Sequence, residues 1–337
     1  MKIKKIYKQM KKYITLTISI LAIVLSSVAI ISVFVFATDK PDEESYYKEI
    51  VKENLQNFSA PLPQHLTLCS EEVPMDNIFV REALDRELTS LMYQHASTFI
   101  IMKRAFRYFP LIEKYLKDNS APEDLKYLAV AESSLNNVTS PAKAEGFWQF
   151  MAATAKQYGL IVTEEYDERY NLEKATSAAA KYLKASKNRL GSWSLACAAY
   201  NCGEQGVKNR MNEQGISSYW DLALNTETAR YVYRILAYKI LMSDPQQYGF
   251  YLRQKDAYQS LEFENIRVDT TINDFYAFSK SIGTTYKLFR FANPELRSKK
   301  LTNKNKHTYL LRKVKSSLSW EELVGELEQP SSFIESL

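Results

Sequence analysis

Glu132 interrupts an apolar stripe. In "PEDLKYLAVAESSLNN", Pro122 to Asn137, helical spacing sets Leu125, Leu128, Ala129, Glu132 and Leu135 on one face. Ser120 and Glu123 stand at capping-box spacing, which predicts a helix starting near Ala121. A carboxylate on such a face either finds hydrogen bonds or keeps its proton through a raised pKa. The second outcome makes a general acid at neutral pH. The helix alone leaves a plainer reading open, in which Glu132 turns to the rim near the helix end and is solvated or ion-paired.

Two further segments carry groups suited to a sugar. In "GFWQFMAATAKQYGL", Gly146 to Leu160, Gly146 permits a turn or a close backbone approach, and Trp148 and Phe150 offer flat apolar surface. Gln149 adds an amide with donors and acceptors, and Met151 fills irregular space. Sugar rings present apolar faces beside hydroxyls and acetamides, which suits that mix. Taken singly, Trp148 and Phe150 read more simply as core aromatics. In "WSLACAAYNCGEQGV", Trp193 to Val207, a small-residue helix runs into Tyr200 and Asn201 ahead of Gly203. Such an end can aim polar atoms into a cleft, or merely cap a helix.

In this order, Glu132-Ser133, "GFWQFM" and "AYNCG" resemble the marks of the lytic transglycosylase family, glycoside hydrolases with a goose-lysozyme-like fold. The resemblance spans about residues 75 to 250, and "YLAVAESSLN", "YDERYN" and "ARYVYRILAYKIL" bring it nearest to the membrane-bound branch. It implies an all-α lysozyme-like catalytic domain acting on peptidoglycan glycan strands. Glu132 would cleave the β-1,4 bond between N-acetylmuramic acid and N-acetylglucosamine and leave a 1,6-anhydro ring. Ser133, Ser140, Gln149, Met151, Tyr200 and Asn201 are the expected substrate-side groups. Among them Tyr200 is expected to hydrogen-bond near Glu132, Ser140 and Gln149 to orient an acetamide or carboxyl, Met151 to line the site and Asn201 to support the cleft. Asp167 and Arg169 are expected to form a structural ion pair. No cofactor is implied. Two rivals stand beside this reading: a lysozyme-like hydrolase with a second carboxylate, for which Glu145 is nearest in sequence, and a glycan-binding scaffold that keeps the fold without the chemistry. The chain departs from the usual pattern in a shorter Glu132-to-Gly146 loop, in "MAATA" after Phe150, and at Gln205.

The elements that must position these residues follow from the rest of the chain. Lys2, Lys4, Lys5, Lys8, Lys11 and Lys12 precede a run from Ile14 to Ala37 without a charged side chain. As a helix that run rises ~36 Å, enough for a bilayer core of about 30 Å. The lysines predict a cytoplasmic tail over 1–13, a transmembrane anchor over 14–37 and an extracytoplasmic remainder. A cleaved signal segment is the alternative, although the apolar run is long for one. The formal charge of +5 resides in that tail: without its six lysines, 38 basic residues face 39 acidic ones, so nucleic acid is not an expected partner. His65, His95 and His307 are scattered without ligand spacing, and Cys69, Cys197 and Cys202 read as small packed residues rather than as a disulfide set.

Residues 38–74, charged and Pro-containing, are expected to be a tether. Helical periodicity then holds over 75–250, with "TETARYVYRILAYKILMSDP" starting at a Thr cap and stopping before Pro245. Beyond it, "FENIRVDTT" and "HTYLLRKV" have strand character around two short helices, which predicts a small strand-helix-helix-strand module over 262–316. The stretch "DTTINDFYAFSKSIGTTYKLFRFANPEL" resembles a diverged LysM repeat, a small glycan-binding unit, with a structural cap as the alternative role. Residues 317–337 carry little signal and read as a tail.

Overall fold

The computed structural model describes residues 2–38, 58–304, 306–315 and 319–337, and the chain divides into two compact units, Met1–Ser59 and Ala60–Leu337. In the first unit, helix α1, Lys2–Thr38, carries a stretch Ile6–Ser32 that is long and apolar enough to cross a membrane. Most of the expected tether, residues 39–57, lies outside the described residues.

The second unit starts earlier than its periodicity suggested. Ala60, Leu66, Leu68, Cys69 and Val73 are buried in its core, and a two-residue hairpin, β1 Thr67–Leu68 with β2 Glu71–Glu72, closes through Cys69 and Ser70 at positive φ. Residues 60–74 therefore belong to this unit rather than to the expected tether. These apolar residues follow no helical or strand period, and their burial comes from contacts far along the chain, such as Asp124 accepting from the Cys69 amide at 2.6 Å.

Helix follows helix from there: α2 Ile78–Tyr93, α3 His95–Asp118, α4 Lys126–Ser133, α5 Ala152–Gln157, α6 Leu172–Leu190, α7 Trp193–Cys202, α8 Glu204–Gln214 and α9 Thr226–Ser243. Side-chain caps start several of them: Asn77 on α2, Asn171 on α6, Ser192 on α7 and Asn225 on α9. The cap of α9 is thus Asn225, one residue before the expected Thr. α9 is buried on most of its circumference and packs against α2, α4 and α7. The small residues Ala196, Cys197, Ala198 and Ala199 let α7 come close to its neighbours, and the three cysteines are free thiols.

The capping box expected at Ser120 does not form. Ser120 adopts a positive φ and closes α3, with the Ala121 amide bonded to Leu116 O. A 3₁₀ turn, Glu123–Leu125, then leads into α4, and the Glu123 carboxylate pairs with Lys126 instead of returning to a cap. The apolar face is nonetheless as expected: Leu125, Leu128 and Ala129 are fully buried, and Leu135, just past the helix end, is buried with them.

The C-terminal module has the expected order, with β3 Phe263–Val268, α10 Phe275–Ser281, α11 Tyr286–Ala292 and β4 Tyr309–Val314. Its strands pair antiparallel from Phe263↔Val314 to Val268↔Tyr309. The module is built onto the helical body. Tyr166 sits in the module's own core with Phe275, Phe289, Leu296 and Leu311. The Asp167 amide donates to Glu295 O at 2.8 Å, and Glu165 accepts from Thr302 at 2.6 Å. A short helix α12, Trp320–Gly325, follows.

The last residues are not a loose tail. Ile334 and Leu337 donate their amides to Leu252 O and Met242 O, each at 2.8 Å, and Tyr127 donates to Leu337 O at 3.1 Å. The docking relies on backbone pairing and one buried Ile334 side chain, features that leave no periodic pattern in a sequence.

Among the described residues the buried Tyr166 hydroxyl has no hydrogen-bond partner, so ring and hydroxyl make separate contributions. Tyr166→Phe is expected to be neutral or stabilising by about 1 kcal/mol, because it removes an unsatisfied polar atom. Tyr166→Ala is expected to lose about 3 kcal/mol of the module's packing. Hydrogen exchange across residues 263–314 checks both: protection unchanged or higher with Phe, and clearly lower with Ala.

Candidate active site

Glu132 lies on the last turn of α4, where Ser134 and Leu135 take positive φ and end the helix. Its carboxylate is half-buried against α9, and the Tyr231 hydroxyl donates to Glu132 Oε1. Burial pushes the Glu132 pKa up to about 7; the Tyr231 hydrogen bond and the charge of Arg234 pull it down, and Glu227 pushes it up. Tyr231, Arg234 and Glu227 were absent from the sequence-based candidates. Tyr231 stands 99 residues from Glu132 and is one of 23 tyrosines, so only the packing of α9 on α4 singles it out.

Tyr200 is close enough for the Glu132 charge to act on it, but it donates its proton elsewhere, to Trp148 O at 2.7 Å. The expected hydrogen bond near Glu132 is therefore made by Tyr231, while Tyr200 holds the loop that carries Trp148. Burial raises the Tyr200 pKa well above its ordinary value, which keeps the hydroxyl a donor. The Tyr200 ring packs edge-on against Phe150 and Tyr182, at centroid distances of 5.9 and 5.1 Å. Asn201 Oδ1 accepts from Thr228 at 2.8 Å, tying α7 to the first turn of α9.

The "GFWQFM" loop divides its side chains. Trp148 and Phe150 are core aromatics, and Trp148 Nε1 donates to Thr176 at 2.9 Å. Gln149 takes a positive φ and turns its amide onto Val138 O and Gly146 O, at 2.9 and 2.7 Å. Both donors are thereby used, and its Oε1 is the atom left to meet a ligand. Met151 is 46% exposed. Ser140 is half-exposed in a turn, its hydroxyl accepting from the Ala144 amide at 3.0 Å. Ser133 does not reach a cleft: it is buried, and its hydroxyl donates to Ala129 O at 3.1 Å one turn back. That removes it from the expected substrate-side group.

Gly146 is needed where it stands. Its φ is +82°, and a Cβ there would lie 1.9 Å from Arg169 O. Arg169 in turn pairs with Asp167 at 2.6 Å, as expected, and with Glu145 at 2.9 Å. Its guanidinium also donates to Lys143 O and Phe150 O, at 3.3 and 3.2 Å. Glu145 is therefore an anchor of the loop.

Residues 109–223 match the Transglycosylase SLT domain, and residues 264–312 match the soluble lytic transglycosylase C-terminal LysM-like domain. The chain thus carries an SLT transglycosylase domain followed by a LysM-like domain. Among curated proteins it is 31% identical over 192 residues to membrane-bound lytic murein transglycosylase D of Escherichia coli strain K12, and equally to that of strain CFT073. The alignment covers 55% of this chain and 42% of each relative, so the chain spans less than half of their length. A putative tributyltin chloride resistance protein from Alteromonas sp. strain M-1 is 28% identical over 130 residues, 36% of this chain and 63% of that protein.

A carboxyl whose folded pKa is raised binds more protons folded than unfolded between its ordinary value near 4.5 and about 7. Its contribution to stability is most favourable below that window and is lost as pH rises through it. Compared with Glu132→Gln, the native chain is expected to lose stability, by up to a few kcal/mol, between pH 4.5 and 7.5. Urea unfolding of both chains at a series of pH values checks the sign.

Proposed function

We propose that this chain is a membrane-anchored peptidoglycan lytic transglycosylase in which Glu132 serves as acid and then as base. The observation that carries the reading is a half-buried carboxyl with a pKa near 7, set at the end of a helix in an SLT domain. Protonated Glu132 donates to the bridging oxygen of the β-1,4 bond between N-acetylmuramic acid and N-acetylglucosamine. The muramic 2-acetamide stabilises the positive charge at C1 from within the substrate. Ionised Glu132 then takes the proton from the C6 hydroxyl of the same sugar as that oxygen closes on C1. No water is added, and the product ends in a 1,6-anhydro ring. Gln149 Oε1, Ser140 and Met151 are assigned to the bound sugar, with Tyr200 and Asn201 holding the walls. The apolar helix α1 and the membrane-bound relatives support an anchor, with the catalytic unit on the extracytoplasmic side.

A second reading has an observation in its favour. Glu227 is near enough to raise the Glu132 pKa, and hydrolysis needs a second carboxylate to activate water. Against it, Glu227 is paired with Arg234 at 3.1 Å on its own helix.

Mass spectrometry of muropeptides released from purified peptidoglycan separates the two. The expected products are lighter by one water than those of a hydrolase, and they vanish in Glu132→Gln, whose near-isosteric amide supplies no proton. The rate is expected to fall by about 10²–10⁴-fold or more. Reducing ends instead would move the assignment to hydrolysis and to Glu227. The pH profile adds a further check. An acid of pKa about 7 gives a rate that declines above neutrality, and Tyr231→Phe, by removing a hydrogen bond to the ionised form, is expected to move that decline upward by roughly one pH unit.

A further inference from the structure

A cavity of about 530 Å³ opens where the catalytic body meets the C-terminal module. Its size is that of a small-ligand site. Phe147 and Tyr170 from the catalytic side and Phe263 and Phe291 from the module give it apolar walls, and Asn136 and Asn137, just beyond Glu132, form part of its rim. Into these walls come three guanidinium groups, Arg107, Arg290 and Arg312.

Their charge is poorly balanced. Arg312 is 3.0 Å from Glu295 and 3.6 Å from Glu173, and Glu173, the one carboxylate in the lining, already accepts from Tyr115 at 2.6 Å. Among the described residues neither Arg107 nor Arg290 has a carboxylate within ion-pair range. Arg107 Nε donates to Gln259 O at 2.8 Å and Arg290 Nη1 to Ser298 O at 2.7 Å, which leaves the rest of each guanidinium without an anion. Burial lowers the pKa of Arg290. Two unpaired guanidinium groups among aromatic walls suit a ligand with carboxylates on a partly apolar body. A neutral sugar offers them nothing to neutralise.

We propose that this cavity binds an acidic peptide, which on the substrate assigned above is the stem attached to the muramic lactyl group. The assignment rests on that reading for the identity of the peptide, and on the charge and shape of the cavity for its class. The glycan would lie along the Glu132 side while its stem enters between the two domains, so the C-terminal module would contribute to substrate selection through Arg290 and Phe291.

The test uses the full chain in detergent with Glu132→Gln to prevent turnover, titrated calorimetrically with purified muramyl tetrapeptide and with the same compound amidated at its carboxyls. The expected result is binding that weakens at higher salt, falls at least about tenfold in Arg107→Gln and in Arg290→Gln, and falls similarly for the amidated peptide. Equal affinity for the amidated peptide, measured without any arginine substitution, would overturn the proposal. So would unaltered affinity in both arginine variants. Product analysis of the unsubstituted chain runs in parallel. Release of 1,6-anhydro products with no peptide binding overturns this site and leaves the activity standing, whereas carboxylate-dependent binding without any product supports the site and removes the activity.

Discussion

The Arg169 side chain fixes the loop from Lys143 to Met151. It is buried, pairs with Asp167 and Glu145, and reaches the carbonyls of Lys143 and Phe150, while its own carbonyl oxygen fills the space that Gly146 leaves empty. Buried ion pairs add little net stability, because desolvation offsets much of the attraction, but one broken partner leaves an uncompensated charge. Here the consequence is positional. The loop from Lys143 to Met151 is bound at three points to the segment after α5, so Gln149 and Met151 have one place to be. The same pairing bears on the proposed mechanism: Glu145 is engaged in holding the loop, and the proposal gives the chemistry to a carboxyl held elsewhere.

That carboxyl was legible in the sequence because burial on a helix repeats every three to four residues. Leu125, Leu128 and Ala129 predicted the face, and Glu132 stood out on it. Its hydrogen-bond partner was not legible, since Tyr231 meets it only through the packing of two helices far apart in sequence. The capping box at Ser120 failed for a related reason. The amide that would open the next helix is taken by Leu116 O, the closing bond of the helix before, and local spacing does not reveal which of two helices claims it. Irregular segments hid best: Ala60 to Val73 and the final residues are held by backbone bonds and scattered apolar side chains.

The stretch "YDERYN", quoted above for its resemblance, has two structural duties. Tyr166 enters the core of the C-terminal module, and Asp167 and Arg169 turn back to the loop from Lys143 to Met151. Asn171 caps α6 and also donates to the buried Glu295 of the module at 3.0 Å. The connection between α11 and β4 is pinned to the helical body by these bonds and by those of Thr302. A module held this way has no free linker to this body. Any part it plays in the proposed recognition falls at the junction, where its residues and those of the helical body line the same cavity.

The environment of Glu132 is a balance, and the proposed chemistry needs it to be one. Burial favours the protonated form required for the first step, while Tyr231 and Arg234 favour the ionised form required for the second. A carboxyl buried without those partners would hold its proton too firmly to return as a base. One left in water near its ordinary pKa would be almost fully ionised at neutral pH and a poor acid. Both opposing influences arise where α4 meets α9: the contact buries the carboxyl, and Tyr231 and Arg234 of α9 favour its ionised form. The closeness of those two helices is therefore what sets the proton affinity of the single carboxyl on which both steps rely.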